Sequence, residues 1–210
     1  MRFYAVDGKQ YPSVTTVLSI LRKPMLEQWR GRLGNEEADR TMNEAADLGR
    51  EVHKILELID LGKSITVKPE LLPMVQGYLA WKERAVQEIV SVERFVCSRR
   101  YQYAGTTDRL AVLKGDRLPA VIDLKTSKSI YPDHGLQLSG YKGALTEEGV
   151  QTGRRLVVLV DKIERGKVKV KEFKDHDKEF RLFLYSLELW RHFNGGVLKS
   201  GGELNGSRTG

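Results

Sequence analysis

The sequence predicts an α/β fold, and three observations carry that expectation. Between residues 36 and 89, apolar side chains recur at spacings of three and four, the pattern of amphipathic helices. From residue 92 the period shortens to two, and three strand-like runs follow by residue 125. A helical stretch over 134–148 then separates the apolar run 118–125 from a second one, 156–160. The middle of the chain therefore reads helix, three strands, helix, strand, as a central mixed sheet flanked by helices.

Residues 2–11 suit a hairpin, because Asp7-Gly8 supplies a two-residue turn that tolerates positive φ. Ser13 is placed to cap a helix whose stripe is Val14, Val17, Leu18 and Leu21, ending at Lys23-Pro24. The next helix runs from about Glu36 to Leu61, with Met42, Ala45, Gly49, Val52, Leu56 and Ile59 on one face. Gly49 costs about 1 kcal/mol against alanine inside a helix, which suggests a close approach by another element. A further helix is expected from Pro69 or Pro73 to Ile89, with Val75, Leu79, Lys82, Val86 and Ile89 on one side. Strands follow over 92–97, 108–113 and 118–125, with Lys114-Gly115-Asp116 turning between the last two. After the helix at 134–148 and the strand at 156–160, residues 168–173 alternate lysine with apolar side chains, as an edge strand does. Asp175 or Asp177 caps a last helix through Phe193, and Trp29, Trp81 and Trp190 read as helix-face core residues.

The chain has 210 residues, 40% hydrophobic and 30% charged, which suits one globular domain at 1–193 with its core at about 40–175. Residues 194–210, rich in Gly and Ser, read as a flexible tail. No apolar run approaches the roughly 18 residues of a membrane span, and no signal-peptide core follows Met1, so the expectation is a cytoplasmic protein without membrane contact. The single cysteine, Cys97, excludes internal disulfides and any four-cysteine cluster, including iron–sulphur ligation by four cysteines. A net charge of +7 favours a polyanionic partner.

One stretch gathers chemistry. Asp108 stands on one predicted strand, and Asp123 and Lys125 lie two apart on the next, so the latter pair shares a face while Ile122 and Leu124 point away. Gln137 and Tyr141 are four apart on the following helix and share a face there. Two carboxylates suit a hard divalent cation, and the Leu124 backbone carbonyl offers a third oxygen. Lys125 is placed to orient or deprotonate a water and to stabilise charge on a phosphate undergoing attack. The short pattern is weak alone: Asp7-Gly8-Lys9 and Glu172-Phe173-Lys174 repeat it without an apolar strand, a second carboxylate and a polar helix face around it.

With that context, Gly105-Thr106-Thr107-Asp108, Ile122-Asp123-Leu124-Lys125-Thr126 and the Gln137–Tyr141 helix resemble the restriction-endonuclease-like PD-(D/E)XK nucleases. The closer likeness is to the RecB-type exonuclease branch, and the opening Tyr11 to Val17 is similar to phage-type members. The resemblance covers about residues 45–160 and implies the αβββαβ core of that superfamily, with an N-terminal hairpin and helix and a C-terminal strand and helix added. It also implies a metal-ligating histidine on an upstream helix, a place that His53 fits after Gly49. The implied activity is metal-dependent DNA hydrolysis by an exonuclease in processing, recombination or repair. His53, Asp108, Asp123 and the Leu124 carbonyl would hold Mg2+ or Mn2+, and Lys125 would position the water. The partner would be DNA, single- or double-stranded, in a bacterium or a phage-infected host cell. Gln137 and Tyr141 are expected to touch the nucleic acid or brace the strand, with Thr126, Ser127, Lys128, Arg99 and Arg100 as further DNA contacts. The rival expectations are a catalytically inactive DNA-binding protein of the same fold and a structure-specific endonuclease.

Overall fold

The structure, a computed structural model, describes residues 1–164 and 166–200, with side chains described as far as Gly195. Strands β1 (Phe3–Val6) and β2 (Lys9–Pro12) form the expected hairpin, and Asp7 and Gly8 between them take φ angles of 48° and 74°. Ser13 caps α1 (Val14–Leu18), its hydroxyl oxygen accepting from the Thr16 amide at 2.9 Å. This helix stops at Leu18 and not at Lys23. The run Val14-Thr15-Thr16-Val17 is a poor helix former, and Ser19, Ile20 and Leu21 bond three residues back, which tightens the chain out of the helix. Pro24, expected only as a terminator, opens α2 (Pro24–Leu33). No residue of α2 is buried, so Trp29 is half-exposed and outside the core.

Helix α3 (Asn35–Asp60) matches its expected span within a residue. Its stripe is buried at Val52 and Leu56, with Ile55 beside them, whereas Met42 stays exposed. Helix α4 (Leu72–Ala85) ends before Ile89, and its buried face is Met74, Val75, Tyr78 and Trp81, leaving Leu79 exposed. Val86 to Ile89 belong instead to β3 (Val86–Ser98), which pairs antiparallel with β4 (Tyr103–Leu113). A long partner strand and β-branched residues at 86, 89, 90 and 92 decide that segment in favour of strand.

The chain continues through β5 (Ala120–Lys125), α5 (Asp133–Glu147), β6 (Arg155–Val160), β7 (Val168–Glu172) and α6 (His176–Ser200). The sheet order is β3-β4-β5-β6-β7, antiparallel throughout except for the parallel pair β5 and β6, which α5 connects. The chain forms the expected α/β architecture, a mixed sheet flanked by helices, and the sheet has five strands. One sheet face, through Ile122, Leu124 and Val158, packs on Leu56 of α3 and Tyr78 of α4. The other, through Leu110, Val121 and Val157, packs on Leu138 of α5, Phe183 of α6 and Val14 of α1. Every residue of β6 is buried, and β7 is the lysine-bearing edge. Helix α6 passes the expected end at Phe193 and runs to Ser200, so the tail expected from residue 194 is helical over its first seven positions. The rest of that tail, 201–210, lies outside the described residues. No helix among the described residues is long and apolar enough to cross a membrane.

His176, at the start of α6, gives the fold a measurable pH dependence. Its ring stacks on Phe180 at 5.6 Å, and its Nδ1 is buried without a hydrogen-bond partner. Burial, with Arg155 and Lys142 nearby, lowers its pKa to about 4 from an ordinary 6.5. As pH falls from about 6.5 to about 4, the unfolded chain takes up this proton before the folded one does. Stability is therefore expected to drop across that window. His176→Phe should flatten the drop, as urea unfolding at stepped pH would show; equal slopes in both proteins would refute the assignment.

Candidate metal centre

Strand β5 has neighbours on both edges, and its alternation sends Ile122 and Leu124 into one core cluster and Val121 into the other. Asp123 and Lys125 share the Val121 face, toward α5. The Asp123 side chain is 2% exposed, and Lys125 Nζ lies 2.7 Å from its Oδ2. One turn into α5, Gln137 Nε2 donates to Asp123 Oδ1 at 2.7 Å and to the Tyr141 hydroxyl at 3.1 Å. Gln137 Oε1 accepts from Lys125 Nζ at 3.2 Å. A single amide thus faces its oxygen to the ammonium and its NH2 to the carboxylate, which fixes both charged groups.

The electrostatics leave this pair short of positive charge. Burial pushes the Asp123 carboxyl up; Lys125 opposes that and Asp108 adds to it. Burial pulls the Lys125 ammonium down, but Asp123 and Asp108 more than offset it, so the amine stays charged. Asp123 Oδ2 has no hydrogen-bond donor in good geometry despite the nearby ammonium. A divalent cation would satisfy that buried anionic oxygen.

Asp108 reaches the site from β4, its Oδ2 accepting from the Leu124 amide at 2.6 Å. His53 Nδ1, from α3, lies 3.8 Å from the same oxygen. Glu93 joins them: His53, Glu93 and Asp108 each offer a ligand atom, all within 4.8 Å of one another. Glu93 has no standing in any motif of the sequence. The signal that would have found it is hairpin register. Ser98 pairs with Tyr103 across the β3–β4 turn, and five residues along each strand Glu93 stands opposite Asp108. Its φ of 48° is unusual for a non-glycine residue in a strand. Burial, then Asp108, push its carboxyl up to about 7, with Arg109 opposing.

The structure therefore brings His53, Asp108 and Glu93 into one cluster, and Asp123, Lys125, Gln137 and Tyr141 into another. The Leu124 amide joins Asp108 to β5. Thr126 sits against α3, where a Cβ on Gly49 would meet its Oγ1 at 3.0 Å, so the expected close approach at Gly49 is real. Ser127 bonds the Ser129 carbonyl at 2.8 Å, and Lys128 is exposed. Arg99 and Arg100 are not brought to the site. They occupy the β3–β4 turn, where Arg99 pairs with Asp7 at 2.8 Å and the Arg100 amide donates to Glu147 at the far end of α5. That is ten residues, about 15 Å of helix, from Gln137.

Gly105 shows how tightly Tyr141 is seated: an added Cβ would lie 2.6 Å from Tyr141 Cε1 and 3.4 Å from Val14 Cγ2. Gly105→Ala is expected to displace the Tyr141 ring at a cost of about 1–3 kcal/mol, the usual range for overpacking. Paired unfolding curves of wild type and variant would check this; an unchanged midpoint would mean that Tyr141 moves freely.

No family model matches this chain, and no curated protein does. Among solved structures, the crystal structure of SSO0001 aligns at 16% identity with a TM-score of 0.43, covering 84% of this chain and 75% of that one.

Proposed function

We propose that the chain is a divalent-metal-dependent deoxyribonuclease acting as an exonuclease on phosphodiester bonds. The observation that carries this reading is the buried Asp123–Lys125–Gln137–Tyr141 arrangement one strand away from His53, Asp108 and Glu93. Carboxylate oxygens with one imidazole suit Mg2+ or Mn2+, and the imidazole favours Mn2+. Such a cation, when bound, neutralises charge on a phosphate and makes its water more acidic. His53, Glu93 and Asp108 would hold it, with Asp123 on the adjacent strand as a further carboxylate. Lys125, held by Gln137, orients the attacking water and faces the developing negative charge. Lys125 acts as a hydrogen-bond donor, its Nζ held between Asp123 Oδ2 at 2.7 Å and Gln137 Oε1 at 3.2 Å.

Labelled linear DNA, single- and double-stranded, should be degraded with Mg2+ or Mn2+ and left intact with EDTA, while covalently closed circles survive. Mn2+ should raise the melting temperature of the wild type and fail to raise that of Asp108→Ala. Intact DNA under every metal, or full cleavage by Asp123→Ala, would refute the reading.

A further inference from the structure

Beside the candidate metal ligands lies a cavity of about 640 Å3 that shares Lys125 and Gln137 as part of its wall. Its other walls are the α1–α2 segment and the first turn of α5. Pockets of this size take small organic ligands or a nucleotide-sized group. Its charged groups are mostly cationic. Arg22, Lys23 and Arg30 line it with Lys125, against two carboxylates, Glu27 and Asp133.

His134 points to what the cavity holds. The residue is 8% exposed and lines the cavity. Its Nδ1 accepts from the Tyr131 amide at 3.3 Å, so in the neutral ring the proton sits on Nε2, which has no partner among the described residues. Burial, then the Lys125 charge, lower its pKa and keep the ring neutral. A neutral N–H donor with no acceptor among the described residues, on a buried ring that lines a mostly cationic cavity beside Lys125, suits an anionic oxygen. The cationic rim is available to such a ligand. Arg22 pairs with Glu27, Lys23 with Asp133 and Arg30 with Asp39 at 2.6, 3.0 and 2.7 Å, but the three side chains are 80%, 54% and 31% exposed. Exposed pairs of this kind are weak and yield to a better anion.

We propose that this cavity binds the phosphate adjoining the attacked one on the DNA strand, His134 Nε2–H donating to a phosphate oxygen and Arg22, Lys23 and Arg30 supplying charge. The proposal rests on the nuclease reading for its substrate. Helix α2, which buries none of its own residues, thereby has a role as the wall of a strand channel.

The test is binding of a 3′-fluorescein single-stranded 15-mer by anisotropy in EDTA, where hydrolysis is silent. Arg22→Ala with Arg30→Ala should weaken binding by about tenfold and lower the slope of log K against log salt by about 1.4, at about 0.7 per phosphate contact. Arg99→Ala with Arg100→Ala, removing the same charge at the β3–β4 turn, should leave the slope unchanged. His134→Phe should weaken binding and His134→Gln, which keeps a donor, should restore it. Equal losses from the two arginine pairs, or none from either, would overturn the subsite. Cleavage with Mn2+ is scored separately. The expected binding pattern without any cleavage supports the subsite and sinks the hydrolytic reading; cleavage with unchanged binding does the reverse.

Discussion

Lys125→Met is expected to lower metal-dependent DNA cleavage by about 10²–10³-fold, the cost of removing one donor aimed at developing negative charge. The geometry explains why so much falls on one side chain. Lys125 Nζ has two close partners, Asp123 Oδ2 at 2.7 Å and Gln137 Oε1 at 3.2 Å, and both hold it toward the cavity mouth it shares with Gln137. A methionine fills the space and keeps the strand packed, yet offers no donor to water or phosphate. The same change removes the counter-charge of a buried carboxylate, which burial already pushes upward, so Asp123 should become easier to protonate. Loss of cleavage should therefore come with intact far-UV circular dichroism. DNA affinity in EDTA should fall by less than the rate does, since one phosphate contact among several is lost. A rate within about tenfold of wild type would show that Lys125 only balances charge, because that is the scale of a single ordinary interaction.

How much of this was legible in the sequence differs from part to part. The strands from residue 108 to 172 and helix α5 follow from period and punctuation, because turn residues at Lys114-Gly115-Asp116 and Gly149 leave little freedom between them, although β4 begins five residues earlier, at Tyr103. The pairing of Asp123 with Lys125 follows from spacing alone, and the Gln137–Tyr141 contact from one helical turn. What failed was helix ends and faces. Val86 to Ile89 suit the helix before them as well as the strand they enter, and the long partner β4 decides. Trp29 carries the composition of a core residue, but α2 buries none of its residues. Glu93 was invisible for another reason: its place depends on the register of a hairpin and on one left-handed residue, neither of which composition records. His134 belongs to no motif in the sequence, and only the cavity gives it a context. Asp60 belongs to none either, standing at the end of α3.

Asp60→Ala is expected to cost about 3–5 kcal/mol of stability, the scale for removing one partner of a buried ion pair. An aspartate at the C-terminus of α3 is unfavourable for the helix dipole, so its presence there needs another cause. The cause is a buried cluster. The Asp60 carboxylate is wholly buried and accepts from Arg109 Nε, Tyr78 hydroxyl and Lys82 Nζ, each at 2.6 Å. Arg109 is 1% exposed, so without Asp60 a guanidinium is left in the core with only the Asp108 carbonyl, at 2.6 Å, and Glu93, at 3.8 Å, beside it. That connection carries the damage to the site, because Arg109 follows Asp108 in β4 and opposes the rise in the Glu93 pKa. Asp60→Asn, which keeps the shape and some acceptors, should cost less and leave the fold intact enough to measure Mn2+ binding, which should weaken. Pairing Asp60→Leu with Arg109→Met should recover much of the lost stability, since a buried ion pair exchanged for apolar side chains is often neutral. Urea unfolding of wild type and these three variants checks the series. If Asp60→Ala unfolds within about 1 kcal/mol of wild type, the cluster is no more than a surface-grade ion pair and the link from α3 to Asp108 does not hold.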